Sequence, residues 1–375
     1  MIKLNEQIEF NIFSFISTFA RSLIEIFISL YLFKNGISLH NIILFYFFVN
    51  MFAVPLSYVF VKLGEKTKYI YIMIIGLIAF VIVQMLLRNV INSNSYLILV
   101  AFVYSVYRRG YWVARRLYIT EIMPTNKTSG LFSIVLVLSQ LASIAAGYVG
   151  SIILNNVGIV TLTIISSILL FLSVIPLFGV KHNSVSKNIK LKENIKKYNK
   201  NNYLVFSFYE LNNLLTFIFP IYIALHVENS YSLAGNLNAI SNIAIILFII
   251  IYGKVLNKHK NYIVTSTILV LLCAILKFNI NSYYILIIYF VEGIVTKMQS
   301  QSVNKIYFEN RGDMDLTHYN LIYQIMECLV RALVTFPLLF IDDIRIMIIF
   351  VICVIFSLLI IYMFNIKNKK YKNNN

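Results

Sequence analysis

Long apolar runs are the feature of this sequence that most limits how it can fold. Twelve runs have about the 20 residues that an α-helix needs to cross the hydrocarbon core of a bilayer. Only 13% of the 375 residues are charged, against about 25% in soluble domains. The sequence therefore predicts an all-α integral membrane protein with twelve transmembrane helices. These predicted crossings lie at residues 8–33, 40–61, 69–87, 96–117, 129–154, 158–179, 204–225, 232–253, 262–280, 282–304, 317–340 and 346–365.

The longest polar stretch divides the crossings into two sets of six. This lysine-rich segment, residues 181–202, is predicted to be a cytoplasmic basic linker between an N-terminal half (1–180) and a C-terminal half (203–375). The Asn-Ser-Tyr sequence that begins the fourth crossing at 94–96 recurs at 281–283, where the tenth crossing begins. Because half-repeats are common in transporters, the two six-helix halves are predicted to be pseudo-repeats.

The positions of the basic residues predict the orientation in the membrane. Most of the 32 lysines and arginines lie in segments on the same side as both termini. Four of the exceptions lie outside or at the opposite rim, namely Lys34, Arg88, Lys277 and Arg345, and five lie within the membrane. Lys277, at the end of the ninth crossing, is expected to extend its ammonium group to the surface. Since cytoplasmic loops are enriched in lysine and arginine, both termini are predicted to be cytoplasmic, in the cell membrane. The net charge of +17 then reflects orientation and not a nucleic-acid partner.

Nine charged residues lie inside the crossings, where each costs roughly 2.5–3.5 kcal/mol and needs a reason. They belong to the first, fourth, seventh, tenth and eleventh crossings, and none is expected inside the third, sixth, ninth or twelfth. This separation predicts a polar cavity lined by some helices and shielded from lipid by others. The nine residues are Arg21, Glu25, Arg108, Arg109, Glu210, Glu292, Lys297, Glu327 and Arg331.

Among these nine residues, two oppositely charged pairs have helical spacing. Arg21 and Glu25, like Glu327 and Arg331, are four residues apart, so each pair shares one face of its helix. One interpretation is an ion pair within the helix that merely makes insertion tolerable. The other is a substrate or proton site whose ionisation state changes during transport, because buried glutamates suit proton carriage.

Arg108 and Arg109 have no acid within one helical turn. With Trp112, Arg115 and Arg116 they form a basic strip along the fourth crossing. Because charge inside a membrane is functional by default, the strip predicts contact with an anionic group. The alternative is pairing across the bundle with Glu292 or Glu327.

Catalysis and metal binding receive little support from the residues. The three cysteines lie inside apolar runs and the five histidines are scattered, so neither a disulfide, a metal site nor a cofactor is predicted. An integral-membrane enzyme needs acids, histidines or a nucleophile gathered at one membrane face. The acidic pair Asp342 and Asp343 lies in a short turn beside Arg345 and is interpreted as a helix cap.

The chain resembles the major facilitator superfamily of secondary transporters in three features. These are its two six-helix halves, its cytoplasmic central loop and the absence of charge from the interior of every third helix. That family has a loop of the form Gly-x-Leu-x-Asp-Arg-x-Gly between its second and third helices. Residues 57–64 correspond to it, with the basic residue Lys62 present but Val61 in place of the aspartate. The second-half copy, 253–258, has Asn257 in place of the acid. The departures weaken the expectation of the family's salt-bridge latch.

Antiporters of that family carry a spaced pattern of small residues on the fifth helix. The matching positions here are Ser133, Ala142, Ala146, Gly147, Gly150 and Ser151. Gly147 stands where the family has proline, and generic helix packing is the alternative explanation. The pattern favours export.

The resemblance implies a secondary active transporter of a small molecule that works by alternating access in the lipid bilayer. The buried glutamates favour coupling to protons, the fifth-helix pattern favours efflux, and a monomer is expected. The alternatives are an importer, a non-transporting immunity or sensor protein, and an integral-membrane enzyme. The predicted substrate contacts are Arg21, Arg108, Arg109, Trp112 and Arg331. The predicted proton carriers are Glu25, Glu292 and Glu327.

Overall fold

The computed structural model describes residues 4–90, 92–122, 128–179, 200–252, 262–278, 282–309 and 316–374. In these ranges the regular elements are all helical, and they follow one another as antiparallel rods joined by short turns. The predicted linker overlaps the described part only at residues 200–202, which begin the seventh crossing; residues 181–199 lie outside it.

The helices of the N-terminal half confirm six crossings, of which the first is divided in two. Their bounds are Leu4–Glu25 and Ile28–Lys34 for the first, then Leu39–Gly64, Tyr69–Arg88, Asn94–Ile122, Thr128–Asn156 and Ile159–Val174, with a 3₁₀ turn at Ile175–Gly179. The helices of the C-terminal half are Lys200–His226, Tyr231–Tyr252, Ile263–Leu276, Ser282–Glu309, Leu316–Leu338 and Ile344–Asn374.

Hydropathy accounts for most of these helices. Within the described ranges, nine helical segments are long and apolar enough to cross a membrane. The fourth and tenth crossings are long enough but carry intramembrane arginines, a lysine and a glutamate. The ninth crossing, Ile263–Leu276, is apolar but has only 14 helical residues, so it is shorter than the predicted 262–280.

The outside of the bundle is apolar, as a lipid environment requires. On the third crossing the side chains of Ile75, Ile78, Ile82 and Met85 are exposed at helical spacing, and none of them is polar. Soluble monomers rarely expose contiguous apolar surfaces of this kind. This face of the third crossing is therefore a lipid-facing surface.

The two halves meet mainly along two helix pairs, the second with the eleventh crossing and the fifth with the eighth. At the side of the bundle opposite the linker, polar side chains of the two halves contact each other. There Asn155 Nδ2 donates to Ser232 Oγ at 2.8 Å, and His40 Nδ1 donates to the Leu339 carbonyl at 3.0 Å. The halves are thus in direct contact on the side away from the termini.

Glycines allow the fifth and eighth crossings to approach closely. A Cβ atom on Gly235 would lie 2.5 Å from the Gly147 carbonyl oxygen, and one on Gly150 would lie 2.9 Å from the Leu23 carbonyl oxygen in the first crossing. The small residues of the fifth crossing therefore pack it against its neighbours in both halves. The side chain of Ser133 lies outside the described residues.

The turn between the second and third crossings is tight, and Gly64 is required there because a Cβ atom would lie 2.5 Å from the Tyr69 ring. The second-half copy of this loop, residues 253–258, lies outside the described part of the chain.

Replacing Gly147 by leucine should separate the fifth and eighth crossings, because a Cβ atom there lies 3.0 Å from Asn238 Nδ2 and 3.2 Å from the Gly235 carbonyl oxygen. We expect a destabilisation of about 1–3 kcal/mol, the usual cost of overpacking. Thermal unfolding of the purified protein in detergent measures it. The matched control is Tyr148→Leu, on the same helix but 59% exposed, which should leave the midpoint unchanged. Equal midpoints for the two variants would contradict the close contact.

Candidate substrate cavity

A cavity of about 910 Å³ lies between the two halves. Among the described residues its walls come from the first, fourth, fifth, seventh, eighth, ninth, tenth and eleventh crossings, whereas the second, third, sixth and twelfth contribute none. Seven of these wall residues are cationic and five are anionic. Among the described residues, the cavity wall therefore carries an excess of positive charge.

The N-terminal half holds its charges in a network of tyrosines. Arg21 Nη1 lies 3.3 Å from Glu25 Oε2, one turn along the same helix. The Tyr107 hydroxyl accepts a hydrogen bond from Arg21 Nη1 at 2.9 Å and donates one to Glu25 Oε1 at 2.7 Å. Glu25 is also the last residue of its helix, where the first crossing breaks. The arginine and the carboxylate are thus joined both directly and through a phenol.

Arg21 is enclosed by its own half. Its guanidinium carbon lies 4.3 Å from the centre of the Tyr111 ring and 4.9 Å from the centre of the Trp112 ring, both favourable cation–π distances. Only 2% of Arg21 is exposed, and it is not a wall residue, whereas Glu25 and Trp112 are. Substrate contact by Arg21 stays a prediction.

Glu327 is the centre of the second cluster and joins the halves. Its Oε1 lies 3.2 Å from Arg109 Nη2 and 3.7 Å from Arg108 Nη2, both on the fourth crossing. The same oxygen lies 3.5 Å from Arg331 Nη1, one turn along the eleventh crossing. Gln324, on the same face, accepts a hydrogen bond from Arg109 Nη1 at 2.5 Å. Of the two cross-bundle partners that the sequence left open, the structure therefore selects Glu327.

Glu210 on the seventh crossing extends this cluster within the C-terminal half. It forms an ion pair with Arg331 and accepts hydrogen bonds from the Tyr323 hydroxyl at 2.7 Å and from Asn213 Nδ2 at 3.3 Å. Above Tyr323 lies the guanidinium group of Arg116, 4.7 Å from the ring centre. The central cluster thus contains more guanidinium groups than carboxylates.

Lys277 corrects the expectation that the ninth crossing carries no interior charge. It is 2% exposed, lines the cavity and places its ammonium nitrogen 2.6 Å from both carboxylate oxygens of Glu292. The ammonium also lies 4.3 Å from the Phe219 ring centre and 4.0 Å from that of Tyr289. Lys277 therefore does not extend to the membrane surface, because an acid and two rings inside the bundle satisfy it.

Known proteins agree with this architecture. A sequence model described as Major Facilitator Superfamily matches residues 10–335, which is most of the chain. The chain belongs to the Major Facilitator Superfamily. No curated protein matches the sequence. Among solved structures, that of the nucleoside transporter NupG superposes with a TM-score of 0.71 at 13% identity, covering 96% of this chain and 98% of the other. A mutant of the same transporter gives 0.70 at 14%, covering 96% and 99%.

The structure gathers all eight predicted site residues into three groups. Arg108, Arg109, Glu327 and Arg331 form one, Arg21, Glu25 and Trp112 a second, and Glu292 with the unpredicted Lys277 a third. Membership of this family also identifies the chain as a multi-pass membrane transporter and not an enzyme.

The Arg345 amide donates to Asp343 Oδ1 at 2.7 Å, as the capping interpretation predicted.

The parts that Tyr107 and Lys277 play in these clusters were not predicted from the sequence. No sequence signal singles out Tyr107 in a chain with 26 tyrosines. Lys277 did carry a signal, because it lies 15 residues before Glu292 on the adjoining arm of a helix hairpin, where the two side chains can reach the same depth.

Lys277→Met should be strongly destabilising, by about 3–5 kcal/mol, because it leaves the Glu292 carboxylate in the bundle without its cation. Adding Glu292→Gln should recover part of the loss, since the charge without a partner is then removed as well. Thermal unfolding in detergent, analysed as a double-mutant cycle, measures both effects. Lys66→Met, at an exposed position, is the control. A double variant no more stable than Lys277→Met would contradict the pairing.

Proposed function

We propose that this chain is a proton-coupled secondary transporter that carries a small organic anion across the cytoplasmic membrane by alternating access. Its termini lie on the cytoplasmic side and a single chain forms the complete cavity. The observation that carries the proposal is the shared carboxylate oxygen of Glu327, which faces arginines of both halves.

The excess of cations in the cavity supports an anionic substrate. Arg108 and Arg109 both depend on a carboxylate that Arg331 also uses, so the central arginines have more capacity for an anion than the protein itself fills. Guanidinium groups bind carboxylates and phosphates with two parallel hydrogen bonds. Trp112, 38% exposed at the wall, adds an apolar surface beside them for the rest of the molecule.

Glu327 supports coupling to protons. A proton on this carboxylate would remove the negative charge that holds Arg108 and Arg109, and would leave both free for a substrate anion. Proton binding and anion binding then favour one another, which is the linkage that cotransport in one direction needs. Glu25 and Glu292 are each paired inside a single half, and their part in proton coupling stays a prediction.

The same cluster supports alternating access. The halves touch on the side opposite the linker, and Arg109 with Glu327 joins them near the middle of the bundle. If the halves rock about the cavity, the Arg109–Glu327 contact is one that opens and closes. A proton and a substrate that both act on this contact can therefore bias the rocking.

The usual proton gradient drives cotransport of a proton and an anion into the cell. The export that the fifth-crossing pattern favours instead needs antiport, in which a proton enters as the anion leaves. The sign of the coupled proton flux separates these directions.

The test uses the purified chain in liposomes that enclose a pH-sensitive dye. A panel of monocarboxylates, dicarboxylates and phosphate esters is added outside, together with neutral nucleosides because the structural relatives transport them. Internal acidification on adding an anion is the expected result. Internal alkalinisation would indicate exchange, and a response to neutral compounds alone, or none at all, would overturn the proposal.

Glu327→Gln should separate binding from coupling, because glutamine keeps the size of the side chain but carries no charge. We expect exchange of labelled anion between the two sides to persist, while acidification of the lumen falls to the level of empty liposomes. Glu228→Gln, also a wall residue but outside the central cluster, is the matched control and should behave like the parent. Retained proton flux in Glu327→Gln would show that another group carries the proton.

A further inference from the structure

One charged wall residue, Lys297 on the tenth crossing, is not engaged by the clusters described above. It is 8% exposed and lines the cavity. Within the described part of the chain it has neither a carboxylate at ion-pairing distance nor an aromatic ring beneath its ammonium group. Every other intramembrane cation of the cavity has at least one such partner. A buried charge without a partner is costly, so the position calls for an external anion.

Asn212 on the seventh crossing is the second side chain without a partner. It is 6% exposed and also belongs to the cavity wall. Neither its amide nitrogen nor its amide oxygen has a hydrogen-bond partner. Buried amides in proteins are nearly always satisfied, and each atom left without a partner costs about 1–3 kcal/mol. An incoming polar group is therefore stabilised here as well.

Helix geometry places these two side chains at the same depth. The seventh and tenth crossings pack against each other, and Tyr209 of the seventh has its hydroxyl beside the Ser300 side chain of the tenth. Asn212 follows Tyr209 by three residues, and Lys297 precedes Ser300 by three. Because the two helices are antiparallel, both steps lead about 4.5 Å in the same direction and keep the same helix face.

We propose that Lys297 and Asn212 form a second anion subsite, and that the substrate is an organic dianion with one acidic group there and the other at the central arginines. The ammonium group supplies the charge and the amide N–H donates to the second oxygen of a carboxylate. The excess of two cations over the five carboxylates of the described wall matches two negative charges. This inference rests on the proposed function for the class of substrate.

The test reads binding directly, without transport. Trp112 is the only tryptophan of the chain and lines the cavity, so its fluorescence reports occupancy. The purified full chain is titrated with succinate, with butyrate as the monoanion of the same carbon number, and with dimethyl succinate as the neutral form. Succinate should bind more tightly than butyrate, and dimethyl succinate more weakly than either.

Lys297→Gln should weaken succinate binding by about ten- to a hundredfold, the worth of one hydrogen bond to a charged group, and leave butyrate unchanged. Lys297→Arg should restore the preference for succinate. Asn212→Ala should weaken succinate by a smaller factor. Lys66→Gln, at an exposed position, is the control. Thermal unfolding of each variant verifies folding, and Lys297→Arg supplies the charge test if Lys297→Gln does not fold.

Equal losses for succinate and butyrate in Lys297→Gln, no loss for either, or no binding of either to the parent chain would overturn the subsite. The outcome is independent of the coupling mechanism. A preference for succinate that depends on Lys297, in a protein that moves no protons in liposomes, would preserve the subsite and overturn the proposed function.

Discussion

Three guanidinium groups around one carboxylate oxygen hold the centre of this molecule together. Ionised side chains are stable inside a bilayer only when other groups replace the water around them. Here the Glu327 carboxylate forms ion pairs with Arg109 of one half and with Arg331 of the other. The rest of the fold follows from that need. Charged helices must turn inward towards one another, apolar helices must cover them, and a polar space remains where the charges do not cancel.

The two halves satisfy their other charges by different means. In the N-terminal half, aromatic side chains surround Arg21, and the Tyr107 hydroxyl relays the contact to Glu25. In the C-terminal half a lysine, Lys277, is held by both oxygens of Glu292 and flanked by rings. Both arrangements are closed within one half, so they can move with it as rigid parts. The central cluster differs because its ion-paired residues belong to different halves of the protein.

The sequence predicted the number of crossings and, apart from the ninth, the crossings that carry interior charge, because both depend on local composition. It could not choose between Glu292 and Glu327 as the partner of Arg109, since helix rotation and tilt decide that. The position of the Lys277 ammonium group was predicted wrongly for a related reason. The long side chain of a lysine at the end of an apolar run can extend either to the membrane surface or into the bundle. Likewise, the free position of Lys297 becomes visible only when the neighbours are in place.

The distance along the chain between Arg109 and Glu327 has a consequence for biosynthesis. The partners are 218 residues apart. At about 5–20 residues per second, a ribosome needs roughly 10–40 seconds to make the intervening chain, so the arginine enters the membrane long before its acid exists. During that interval the N-terminal half has to keep Arg109 hydrated or close to the insertion machinery. The first half of the protein is thus inserted in an unfinished electrostatic state that only the eleventh crossing completes.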